Sequence, residues 1–137
     1  MLVVLLSMLL PLIAVIATAA AFWKLAARIL RYGGVTWPLA FLVAATIVSV
    51  SALIQTLVAV AGLGLSSWLV RGVLPVLLVV LGAWCFHDRA LRPDGVEVGW
   101  PGALKLSALA HVLFVLVFVA LLLSLFYFTG GLHGTLS

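Results

Sequence analysis

Four long apolar runs make up most of the chain, and its polar residues collect in the gaps between them. The first extends from Leu2 to Trp23 and is interrupted only by Ser7, Pro11 and Thr18. The pattern predicts helices over about 2–23, 36–61, 68–86 and 103–129, each 19 to 27 residues long. A helix needs about 20 apolar residues to cross a bilayer core, so every run is a candidate span. Stretches such as VLFVLVFVALLL lack the period-two alternation of a barrel strand, which argues against a transmembrane β-barrel.

The punctuation between the runs orders them. Trp37 and Pro38 suit an interfacial first turn of the second helix. GLGLSS, from Gly62 to Ser67, is short enough to make helices two and three antiparallel neighbours, with Ser66 or Ser67 as a cap. Pro11 and Pro75 mark sites of bending inside helices one and three. Pro101 and Gly102 lead into helix four, and Gly130 and Gly131 lead out of it. In KLAARILRYGG, Lys24, Arg28 and Arg31 are spaced four and three apart and share one helical face. That segment is either the emerging end of helix one or a short helix along the headgroups, and Gly33 and Gly34 are expected to end it. ATAAA, from Ala17 to Ala21, has the small residues of a signal cleavage site. No positive charge precedes Lys24, however, so helix one is expected to remain as a span.

The expected fold is therefore an all-α integral membrane protein, a single transmembrane domain over 1–137. Its four transmembrane helices run antiparallel, up and down, through connections at about 24–35 and 87–102. Composition agrees: 67% of residues are hydrophobic and 7% charged, too little polar surface to cover a water-soluble globule. The net charge of +4 is spread too thinly to follow a phosphate backbone, so nucleic acid is not an expected partner. Lys24, Arg28, Arg31, Arg89, Arg92 and Lys105 fall on one side of the four spans, and Arg71 alone on the other. By the positive-inside rule the charged connections face the cytoplasm and both termini lie on the non-cytoplasmic side, as in a bacterial inner membrane. The single cysteine, Cys85, cannot form an internal disulfide.

The segment from His87 to His111 holds six of the ten charged residues and two of the three histidines. RPDG, from Arg92 to Gly95, is turn chemistry, and VEVGW after it is too short to be stable without a partner chain. Asp94 and Glu97 read as solvated loop charges that can touch a partner, because no apolar pocket is visible to separate their acidities. His111 lies about two turns into helix four, at a depth where an imidazole normally hydrogen-bonds another helix. His87 and His111 are the only candidates for a b-type haem, and their depths disagree; no cofactor or metal site is expected. No nucleophile or metalloprotease motif occurs and no acid lies inside a span, so no catalytic residue is assigned and no activity of its own is expected.

Three polar features remain inside the spans. Gln55 requires a hydrogen-bonding partner in hydrocarbon. Ala45, Ser49, Ala52 and Ala59, with Thr56 close by, form a small-residue face that permits close helix approach, within the chain or to another. Arg71 either snorkels to headgroups or takes a counter-ion from outside this chain. Together with His111, Asp94 and Glu97, these are the candidate partner-binding residues. They suggest a small accessory subunit that docks with and stabilises or positions other membrane subunits, or self-associates. The alternatives are a transporter or channel-like oligomer for an apolar or lipid-like substrate, and a haem-binding or lipid-modifying enzyme built on His111.

Overall fold

Thr36 precedes a turn that begins Trp37–Pro38, and the proline's fixed φ and missing N–H suit that first helical position. From there the chain is helical to Val60, and Ala61 and Gly62 close the end, with Gly62 at φ +69°. The computed structural model describes residues 2–62 and 68–134. Within them the chain forms α1 (Leu2–Ile29), α2 (Trp37–Val60), α3 (Trp68–Phe86) and α4 (Gly99–Gly134). Most of GLGLSS, including the serines expected to cap helix three, lies outside the described residues.

Three described segments are long and apolar enough to cross a membrane: Leu9–Ile29, Trp37–Val60 and Gly99–Phe128. α3 has 19 residues, of which Arg71–Phe86 is the described apolar stretch. At 1.5 Å per residue α3 is about 28 Å long, close to the roughly 30 Å of a hydrocarbon core. The chain is an all-helical membrane protein with three to four long apolar helices, as in a four-helix bundle. α1 touches α2 and α4, and α3 touches α4 and, less closely, α2.

Two helix ends differ from the sequence expectation. α1 does not stop near Trp23 but continues through the basic segment to Ile29, so KLAARI is the emerging end of the first span. Its stop is not at the glycines either: Arg31 takes the left-handed conformation, φ +56°, and the Tyr32 N–H reaches back to the Ala27 carbonyl at 2.8 Å. α4 starts at Gly99, four residues before the expected Ala103, with Pro101 in its first turn. It also passes through Gly130 and Gly131, which intrahelical hydrogen bonds permit, because glycine is well tolerated in helices at membrane depth.

The packed core is confined to one end. Every buried residue among those described falls within 20–47 or 82–110. Trp23, 3% exposed, is its centre: its ring lies 4.8 Å from that of Phe86 and meets the His111 ring edge-on at 5.8 Å. Gly82 sits under that indole, and Ser107 beside it donates to the Val79 carbonyl at 2.7 Å, tying α4 to α3. Beyond this layer the helices present Leu, Val and Phe outward, the surface expected where lipid is the solvent.

The two connections at the packed end pair with each other. Gly33 and Leu91 exchange backbone hydrogen bonds of 2.7 and 3.0 Å, Leu91 bridges on to Glu97, and the Val98 N–H donates to Ala90. VEVGW therefore finds its partner within this chain, not in another. The RPDG turn closes as its residues dictate: the Gly95 N–H donates to the Arg92 carbonyl, and Gly95 takes φ +80°. Asp94 Oδ1 then accepts from the Val96 N–H at 3.2 Å.

Candidate functional site

α4 carries His111 one turn beyond Ser107, and its Nδ1 lies 2.8 Å from the Ser107 carbonyl. A carbonyl only accepts, so Nδ1 is the donor of this bond. No buried side-chain nitrogen or oxygen among the described residues lacks a partner, so Nε2 reaches accessible surface. His111 also lines a cavity of about 360 Å3 between the helices, together with Phe22, Trp23 and Phe114. Its other polar groups come from α2. Gln55 Nε2 donates to Ser51 Oγ at 3.0 Å, one turn back, and both residues line the cavity. The volume lies within the range of small-ligand sites, roughly 300 to 1,000 Å3. No charged side chain is part of its described lining.

The other expected site residues are distributed around this cavity without converging on it, apart from Ala52, which lies on its rim. Ser49 is exposed on the chain's surface, two residues and a little over half a turn from Ser51. Thr56, exposed on the same helix, folds its hydroxyl back onto the Ala52 carbonyl at 2.8 Å. Arg71 is exposed and makes no ion pair with the described residues. Asp94 and Glu97 are exposed in the connection, where they shape the turn and its bridge.

The two histidines do not meet across a shared space. His87 donates from Nδ1 to the Trp84 carbonyl at 2.7 Å and stacks on Trp100 with ring centroids 5.1 Å apart. His111 lies eleven residues further along α4 than Trp100, about 16 Å of helix axis, against Trp23. A haem held between these two rings has no place in this arrangement. No group of three His, Cys, Asp or Glu side chains suited to a metal forms among the described residues.

Sequence reasoning missed Gly82 and Ser51. Gly82 stands in a wholly apolar stretch, and only its position one face-width from Ala83 and Phe86 hinted at a contact point. Ser51 was marked by Gln55 itself, since an amide at i+4 from a hydroxyl pairs on one helix face.

A second, polar depression of about 570 Å3 lies at the packed end, lined by Lys24, Arg28, Tyr32, Gly33, Gly34 and Trp37 over an apolar floor from α1. Lys24 Nζ donates to the Val35 carbonyl at 2.7 Å and stands 5.7 Å from the centre of the Trp37 ring.

Apolar helices of spanning length, lipid-suited surfaces and, among the described residues, buried side-chain polar atoms that all find partners define a small all-helical integral membrane protein. Comparison with protein-family models, curated proteins and solved structures finds no match for it.

Proposed function

We propose that the chain is a non-catalytic membrane subunit that docks with partner helices and stabilises or positions them in a larger complex. The observation that carries this reading is the small-residue face of α2: Ser49, Ala52, Thr56 and Ala59 are all left exposed by the chain's own helices. Thr56 turns its hydroxyl onto the Ala52 carbonyl, so a partner helix that approaches this backbone need not satisfy it. Arg71 supports the same reading. All three acids of the chain, Asp88, Asp94 and Glu97, belong to the connection at the packed end, leaving its counter-ion to lipid or a partner. The arrangement proposed is antiparallel, up and down, with both termini non-cytoplasmic and the paired connections in the cytoplasm of a bacterial inner membrane. Six basic residues near the connections against one elsewhere favour that orientation.

The test is the particle mass of the protein extracted from its membrane with its surrounding lipid. A second polypeptide, or a second copy, is expected in fixed ratio, and Ser49→Leu combined with Ala59→Leu releases it. Particles holding one copy and lipid alone, in wild type as in the variant, refute the proposal.

A second reading, a carrier for an apolar or lipid-like substrate, rests on the cavity bounded by Gln55, Ser51 and His111. It requires saturable binding of a fluorescent acyl probe that Val48→Phe, at the cavity wall, abolishes.

A further inference from the structure

The polar depression at the packed end has a different chemistry from the cavity above it, and it bears on neither docking nor transport. Two of its lining side chains are cationic, and no Asp or Glu is part of its described lining. Lys24 and Arg28 are one turn apart on α1, so both heads reach the same side of that helix. Lys24 commits one of its three N–H donors to the Val35 carbonyl, which fixes the ammonium at the mouth of the depression. Arg28 is exposed, and its guanidinium makes no ion pair with the described residues. The site stands where water meets hydrocarbon. Trp37, which opens α2, and Tyr32 both belong to the lining, the amphipathic aromatics of a membrane boundary. Level with the cations the wall is Leu25 and Ala27, and Ala21, just short of one turn before Lys24, continues it along α1 toward the span.

We infer that this depression binds the phosphate headgroup of an anionic phospholipid, its phosphate between Lys24 and Arg28 and an acyl chain along Ala21 and Leu25. Charge selects the headgroup: two cations without a nearby acid favour an anion at a surface of low dielectric. The apolar wall selects a lipid over a free ion, because a free phosphate has nothing to place against Leu25. The volume admits a headgroup and the first carbons of a chain.

Native mass spectrometry of the detergent-solubilised protein, titrated with phosphatidylglycerol or phosphatidylcholine, tests the inference. One saturable phosphatidylglycerol is expected, with phosphatidylcholine weaker. Arg28→Gln should weaken phosphatidylglycerol about fivefold, the equivalent of about 1 kcal/mol for one basic residue near an anionic lipid. Arg89→Gln removes the same charge from the same end but outside the depression, and Arg71→Gln removes it from outside the packed end; both should bind as wild type does. Equal weakening by Arg28→Gln and Arg89→Gln would mean attraction to the whole charged surface and would overturn the site. So would equal affinity for the two lipids, or displacement of the lipid by millimolar inorganic phosphate. Arg28 is exposed at the last turn of α1, so its replacement leaves the core intact, and unchanged thermal unfolding of the variant verifies that. The experiment uses the single chain, so it stands or falls independently of any docking partner.

Discussion

Replacing Gly82 by alanine places a methyl group 2.5 Å from Trp23 Cη2 and 2.6 Å from Ser107 Oγ, with Trp23 Cζ2 at 2.9 Å. Neither neighbour can step aside. The indole is held against Phe86 on one side and the edge of His111 on another, and Ser107 is fully buried with its hydroxyl fixed on Val79. Overpacking of this kind costs about 1 to 3 kcal/mol, and two immobile partners at once argue for the upper part of that range. Alanine returns up to about 1 kcal/mol through its better helix propensity. The net expectation is a destabilisation of about 2 kcal/mol, as α3 backs away from α1 and α4.

Unfolding in mixed micelles by titrated denaturing detergent, followed by tryptophan fluorescence, measures the difference. A second background locates its cause. In Trp23→Leu the ring atoms are gone and the Ser107 Oγ contact remains, so adding Gly82→Ala should cost about 1 kcal/mol less there than in wild type, a coupling of about 1 kcal/mol between the two positions. If Gly82→Ala is as stable as wild type, or its cost is the same in both backgrounds, the close approach of α3 to the Trp23 ring is refuted.

Two further outcomes follow from the packed end. Gly34→Ala forces a side chain into a residue at φ +75° and drives its Cβ into the Arg89 carbonyl oxygen, so the Gly33–Leu91 pairing should break; faster hydrogen exchange at both amides would register it, and unchanged protection would contradict it. Ser107→Ala removes one interhelical hydrogen bond and should cost only about 0.6 kcal/mol in the same unfolding assay, whereas Ser107→Leu overfills a fully buried site and should cost several times more; equal costs would mean the site is roomier than described.

What could be read in advance follows from where the signal lies. α2 and α3 were legible to within a residue because their ends carry strong local chemistry: Trp37–Pro38 at one end of α2, Gly62 at the other, and a charged pair, Asp88 and Arg89, just past α3. α1 was cut short because Lys24 looked like the end of an apolar run. Its long stem follows the protein surface while its ammonium finds Val35, so a basic residue does not interrupt the helix. The start of α4 was missed although Pro101 announced it, since the glycines at 99 and 102 suggested a turn. Among candidate site residues, Gln55 and His111 were visible as polar groups in apolar runs. The partner of Gln55 was not, because Ser51 differs from Ser49 only in the face on which the helix places it, and His111 bonds the backbone carbonyl of Ser107 one turn back on its own helix instead of another helix, as its depth had suggested. Pairing of the two connections was also invisible: Gly33 and Leu91 are far apart in sequence and bond through backbone alone.

The contrast between the two ends of the bundle has a physical cause in residue size. Between lipid-embedded helices there is no hydrophobic drive to associate, since a lipid tail is as apolar as leucine; packing and hydrogen bonds must supply the attraction. At the packed end the sequence provides for both. Ala20, Ala26, Ala27, Ala40, Ala44, Ala83, Ala103 and Ala110 are buried along with Gly82, letting backbones approach until Trp23 and Phe86 fill what remains, and Ser107 adds a direct bond between helices. Away from it, Leu53, Leu57, Leu116, Leu122 and Phe126 stand outward where small residues would be needed for the same approach. At this level α2 keeps small residues at three- and four-residue spacing, Ser49, Ala52, Thr56 and Ala59, and with Leu, Ile and Val on its neighbours the chain leaves Ala52 and Ala59 uncovered. On the docking reading proposed above, a helix from elsewhere with small facing residues would close it, and the uncovered face of α2 sets the geometry such a partner would match.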